Sequence, residues 1–162
     1  MIEYKQPDQL RPDEINQFVE FVKEYGHIPN INNIRTGVRN AEVLFRKFNG
    51  STLLGIAAVK RPLASYKKRI FTSVGSRYDY KSFALELGYI AVRPDHTGRG
   101  IGDSLIKIAV VRIANRAAFA TSRESNNWTS KHLAKYGFVQ EDKSYGEGSD
   151  KFLLFIRKPS LT

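Results

Sequence analysis

Between Val92 and Leu105 the chain reads VRPDHTGRGIGDSL, with glycines at 98, 100 and 102. Strand-like residues precede this stretch and a helix-like run follows. The first turn of a helix exposes N–H groups without intrahelical partners and carries the positive end of the helix dipole. Glycines let a phosphate approach such a backbone with no Cβ in the way. The chemistry this pattern offers is anion binding by Thr97, Gly98, Arg99, Gly100, Ile101 and Gly102. A plain glycine turn joining strand to helix is the alternative. Two familiar cradles do not fit. The chain has no Gly-x-x-x-x-Gly-Lys-Ser/Thr run, and the third glycine of a dinucleotide fingerprint would fall at Leu105.

Three other places carry chemistry. Glu86 is the only carboxylate in the strand-like FALELGYIAV, 83–92, where it is either a base or a solvated side chain on one strand face. Asn126 opens the helix-like NNWTSKHLAKYG, a position that suits an N-cap. Segment 60–81 interleaves Lys60, Arg61, Lys67, Lys68, Arg69, Arg77 and Lys81 with Tyr66, Phe71, Tyr78 and Tyr80. Cations with rings suit a nucleic acid or other polyanion; a solvated loop whose rings cover a sheet edge is the alternative. The net charge of +10 is regional: net −3 over 1–30, +9 over 31–81 and +4 over 82–162. That distribution favours a partner over a general solubility effect.

Much is excluded. With no cysteine there is no disulfide, no thiol nucleophile and no cysteine-ligated zinc. His27, His96 and His132 are too scattered to suggest a metal site, so none is expected. No apolar run approaches the roughly 20 residues of a membrane span, and MIEYKQPDQL lacks the apolar core of a signal peptide. A cytoplasmic protein without membrane contact is expected.

The elements that must position these residues follow from periodicity and punctuation. RPDEINQFVEFVKEYG aligns Ile15, Phe18, Val19 and Val22 on one helical face, with Pro12 in the first turn and Gly26 at the end. The polar HIPNINNIRTGVRN has room for a short second helix. EVLFRKF and STLLGIAAVKRP flank Asn49-Gly50 and predict a hairpin. Residues 62–82 read as irregular. A strand over 83–92, a helix from about Gly100 to Ala117, the short strand AFATS, a helix closed by Gly137, and the strands FVQED and KFLLFIR complete the chain. Trp128 is expected to pack, and Tyr136 to place its ring near its helix end. One domain over 1–162 is the simplest division.

ELGYIAVRPDHTGRGIGDSLI resembles the acetyl-CoA signature of the GNAT superfamily of N-acetyltransferases: Val92 and Pro94 match its lead-in, Gly100 and Gly102 its two small positions. NNWTSKHLAKYGF resembles a second family motif, an Asn followed eleven residues later by Gly-Phe, through Asn126, Gly137 and Phe138. The resemblance covers roughly residues 40–157. It implies an α/β (α+β) fold, a mixed and mostly antiparallel sheet with helices on both faces. It also implies acetyl-CoA as cosubstrate, bound where two neighbouring strands splay apart. The pyrophosphate would lie on the N–H groups of Arg99 to Gly102, the pantetheine arm along the strand ending at Val92, and Asn126 near the cosubstrate. Acetyl transfer to an amine wants a base and an N–H donor at the carbonyl oxygen. The resemblance assigns these to Glu86 and to the backbone near Ala91 or Val92. It fails at Thr97, where the family usually has Gln or Arg, and at Leu133, where many members have an acidic tyrosine; Arg99 or Arg93 could supply the lost charge. The implied partners are acetyl-CoA, an amine on a small molecule or protein, a polyanion through 60–81, and a second copy as a homodimer. A catalytically weakened module that binds acyl-CoA or nucleic acid is the other reading.

Overall fold

The computed structural model describes residues 1–28 and 31–159. Among them, seven strands and five α-helices follow in the order β1 (Ile2–Lys5), α1 (Pro12–Tyr25), α2 (Ile31–Arg39), β2 (Val43–Asn49), β3 (Thr52–Lys60), α3 (Ala64–Ser73), β4 (Leu85–Val92), α4 (Ile101–Ile113), β5 (Ala118–Arg123), α5 (Asn127–Lys135), β6 (Val139–Gln140) and β7 (Phe152–Arg157). The strands form one sheet in the order β1-β2-β3-β4-β5-β7-β6. The pairs β1–β2, β2–β3, β5–β7 and β6–β7 are antiparallel. This is the mixed, mostly antiparallel architecture expected. The chain divides into two compact units, Met1–Arg61 with Leu87–Arg112, and Pro62–Glu86 with Ile113–Thr162.

In the first unit, α1 starts at Pro12, whose missing N–H costs nothing there, and the Glu14 carboxylate accepts from the Arg11 N–H at 2.9 Å. It ends where the Gly26 N–H donates to Val22 O. Its buried Ile15, Phe18, Val19, Phe21 and Val22 join Ile34 and Val38 of α2 and Leu44, Ile56 and Ala58 of the hairpin. Ile56 therefore faces α1 and α2. Its neighbour Gly55 faces the other way: a Cβ there would lie 2.9 Å from Ile101 and 3.1 Å from Leu105, both of α4. Successive residues of a strand point to opposite faces, so this unit has helices on both sides of its strands. The hairpin turns at Asn49↔Thr52 around Gly50, φ +59°. The predicted second helix is α2, although Pro29 and Asn30 of that polar stretch lie outside the described residues.

Strand β1 was not expected. It pairs along β2 from Ile2↔Lys47 to Lys5↔Leu44. Arg46, 3% exposed, meets Glu3 of β1 at 3.0 Å and Glu14 of α1 at 3.2 Å. Hydrogen bonding to the Arg11 N–H, helped by Arg46, holds the Glu14 carboxyl below the usual range.

In the second unit, the stretch read as irregular contains α3. Its apolar signal is only Ile70 and Phe71, followed by Val74 at the cap, which donates to Ile70 O. Burial supplies the rest. The Phe71 ring meets Phe83 at 5.5 Å and Phe119 edge-on at 5.4 Å, in a cluster with Leu154 and Ile156. Helix α4 stops at Ile113 rather than Ala117, because Ala114 takes φ +56°. Arg116 and Arg157 donate to the carbonyls of Ile113 and Ala114. The FVQED strand shortens to Val139–Gln140.

One helical glycine is explained by its neighbour. Gly37 lies within α2, where glycine is about 1 kcal/mol poorer than alanine. A Cβ at 37 would collide with the Tyr89 hydroxyl oxygen. Gly37→Ala therefore lowers stability by about 1–3 kcal/mol despite the better helix former, read as an earlier urea midpoint at unchanged slope.

Candidate functional site

The glycine turn belongs to the first unit. After β4 a short 3₁₀ turn, Pro94–His96, is closed by His96 N–H to Arg93 O at 2.9 Å. The Thr97 hydroxyl turns back to donate to Pro94 O at 3.0 Å. Gly98 and Gly100 have φ of +76° and +78°, a region L side chains rarely adopt, and nothing lies within 4 Å of where their Cβ atoms would be. The space over the turn is open. The Gly100 carbonyl accepts from the Ser104 N–H at 3.0 Å, so α4 begins here and the N–H groups of its first turn have no partner within the helix. Gly102 is buried as the second residue of α4. Of the two cations proposed to replace the side chain lost at Thr97, Arg93 pairs with Asp95 at 3.3 Å and Arg99 is exposed between the glycines. His96, then Arg93, hold the Asp95 carboxyl below the ordinary range.

Upstream, Tyr89 has φ +53° inside β4. A non-glycine residue there costs roughly 1–2 kcal/mol and persists only when its surroundings over-determine it. They do. The ring is edge-on to Phe18 at 6.4 Å, the hydroxyl rests over Gly37, and the Lys60 ammonium lies 4.3 Å from the ring centroid. The irregularity falls just before Ala91 and Val92, the residues proposed to present an N–H to the reacting carbonyl; Ala91 is buried.

Glu86 belongs to the second unit and is 2% exposed, which removes the alternative of a solvated strand face. Its Oε2 accepts a hydrogen bond from the Tyr66 hydroxyl of α3 at 2.8 Å. The Thr121 hydroxyl of β5 bonds both Tyr66 and Tyr145. Burial, and then the Glu86 charge, push the Tyr66 phenol well above its usual range. Burial pushes Tyr145 up to about 12. Sequence reading missed Tyr66 and Tyr145 as members of this group. No local signal announces them, since Tyr66 reaches Glu86 across 20 positions from a helix that was not foreseen.

Asn126 caps α5, its side chain accepting from the Thr129 N–H at 3.0 Å. Leu133 is fully buried in the core and offers no proton. Of its neighbours, His132 has Nδ1 2.8 Å from Trp128 O, and Tyr136 has the Lys135 ammonium 5.2 Å from its ring centroid. Trp128 corrects an expectation, being 44% exposed and stacked on His132 at 4.0 Å rather than packed inside. The cations of 60–81 are largely engaged within the chain. Lys67 donates to Phe83 O, Arg69 lies over the Tyr66 ring, Arg77 donates to the Tyr78 hydroxyl and Arg61 pairs with Glu42. Lys68 and Lys81 are exposed. Among the described residues no His, Asp and Glu group could hold a metal ion, and no helix is long and apolar enough to cross a membrane.

A model described as the acetyltransferase (GNAT) family matches residues 14–138, most of the chain. The chain belongs to the GNAT acetyltransferase family. The match starts earlier than the motif resemblance, taking in all but the first two residues of α1. Solved structures agree on the GNAT fold. An acyl-CoA N-acyltransferase from Pseudomonas aeruginosa superposes with a TM-score of 0.72 at 13% identity, covering 97% of this chain and 98% of its own. Escherichia coli ElaA gives 0.71 at 11%, covering 98% and 100%. A GNAT acetyltransferase from Elizabethkingia anophelis, solved with acetyl-CoA bound, gives 0.62 at 15%, covering 98% and 97%. No curated protein gives a significant match. GNAT acetyltransferases use acetyl-CoA as cosubstrate, and the open turn at Gly98 and Gly100, with the N–H groups of α4 behind it, fits that molecule's phosphates.

Proposed function

We propose that this GNAT chain transfers the acetyl group of acetyl-CoA directly to an amine, with Glu86 as the general base. The observation that carries the reading is a buried carboxylate held at 2.8 Å by a phenol, on β4 of a GNAT-family chain. A lysine-like amine is protonated near neutral pH, with a reference pKa of about 10.4, and attacks only after losing a proton. Glu86 takes that proton. Acetyl-CoA supplies an activated thioester: a C–N bond forms at its carbonyl carbon, the C–S bond breaks with its electron pair going to sulfur, and the second proton shed by the new amide nitrogen reaches that sulfur through water. Water fills that role because Leu133 offers no acid. The N–H groups of Arg99, Gly100, Ile101 and Gly102 hold the pyrophosphate, Arg99 adds charge, and the backbone at Ala91 or Val92 faces the developing oxyanion. Asn126, whose side-chain oxygen caps α5, is placed near the cosubstrate in this reading.

The test is a panel of small amines, peptides with free N-termini and lysines, and tRNA, each incubated with acetyl-labelled acetyl-CoA. Label appearing on nitrogen in at least one class is the expected result. If the chain binds acetyl-CoA but labels none of them, it acts as a binding module and the transfer reading is overturned.

A further inference from the structure

We propose that Tyr66 is a positioning residue: its hydroxyl, tied through Thr121 to Tyr145, holds the Glu86 carboxylate for proton transfer. The proposal rests on the reading of Glu86 as base and extends it to residues in which no family motif was recognised.

A glutamate side chain rotates about three bonds, and a base must meet its proton at hydrogen-bonding distance. Tyr66 removes part of that freedom by donating to Oε2 at 2.8 Å. The tyrosine is itself held. Its ring packs beside the Ile70, Phe71 and Phe119 cluster, and the Arg69 guanidinium lies 5.8 Å from the ring centroid. Thr121 joins its hydroxyl to that of Tyr145. The Tyr145 ring stacks on Phe152 at 5.6 Å, and its backbone exchanges two hydrogen bonds with Phe152. Each donor in the chain is thus fixed by packing or by the sheet. Both phenols titrate above their usual range, so both stay neutral donors near neutral pH and add no second negative charge beside the carboxylate. Among the contacts described, Glu86 meets Tyr66 of α3 and acts on Tyr145 before β7, with the Arg69 cation also acting on Tyr145.

The test is a double-mutant cycle on CoA release from acetyl-CoA, with water and n-butylamine as acceptors. Tyr66→Phe removes one oxygen and keeps the ring. We expect kcat to fall roughly 10-fold, about one charge-assisted hydrogen bond, with acetyl-CoA affinity and the amine KM unchanged. In a Glu86→Gln background the same change has less than about a 2-fold effect, because the group it positions is gone. Thr121→Val, nearly the same shape, gives a smaller loss of the same kind and takes the place of Tyr66→Phe if that variant does not fold. Equal losses in both backgrounds, or a loss carried by KM with kcat unchanged, overturn the proposal and leave Tyr66 as packing. Failure of the underlying reading looks different: Glu86→Gln alone then keeps wild-type turnover.

Discussion

Glu86→Gln lowers turnover with acetyl-CoA and an amine by roughly 10²–10⁴-fold, the usual scale for loss of a general base. Glutamine keeps the shape and still accepts from the Tyr66 hydroxyl, so the fold around α3 and β5 should survive. What disappears is the ability to take a proton. Acetyl-CoA affinity, read by calorimetry, should stay within about 2-fold of wild type, because the proposed phosphate contacts come from Arg99 to Gly102. Steady-state rates across pH 6–9 decide the matter. A variant that matches wild type over that range leaves the buried carboxylate a structural role only.

Gly100→Val weakens acetyl-CoA binding on the order of 10²-fold, the loss of one or two charge-assisted hydrogen bonds to phosphate. Two effects combine. The residue sits at φ +78°, where a β-branched side chain is strained, and its Cβ would project into the open space over the turn. Strain by itself lowers stability without touching the ligand, so a matched control is needed. Gly75, at φ +62° with the same open surroundings at the end of α3, supplies it. Gly75→Val should lose similar thermal stability and keep its affinity for acetyl-CoA. If the two variants bind acetyl-CoA equally well, the turn does not hold the phosphates.

These two positions differ in how openly the sequence shows them. Gly98 and Gly100 are visible because left-handed backbone strongly favours glycine, and a strand before with a helix after narrows the purpose. Asn126 is visible for a similar reason, since a helix start needs an acceptor within a few residues. Glu86 was only half legible. Alternation in FALELGYIAV sets it opposite Leu85 and Leu87, which suggests a wet face; in the structure all three are buried. A strand covered on both sides erases the polar and apolar alternation that marks a surface strand. Tyr66 and Tyr145 were illegible as partners of Glu86, because their meeting depends on α3, and α3 depends on burial of Ile70 and Phe71 rather than on a strong helical period. The short β1 escaped for want of length: four residues of mixed polarity carry almost no period.

That small strand has a practical side. Beyond pairing with β2, it brings Glu3 to Arg46, a cation almost wholly removed from solvent. A version of the chain trimmed to begin at α1 would leave Arg46 with Glu14 as its remaining carboxylate partner among the contacts described, and would bare the outer row of β2 backbone groups. An unprotected row of that kind is a template for pairing between molecules. Tags and fusions are therefore better joined through a spacer ahead of Ile2 than by replacing the first residues, and trimming at this end invites self-association before it costs any chemistry.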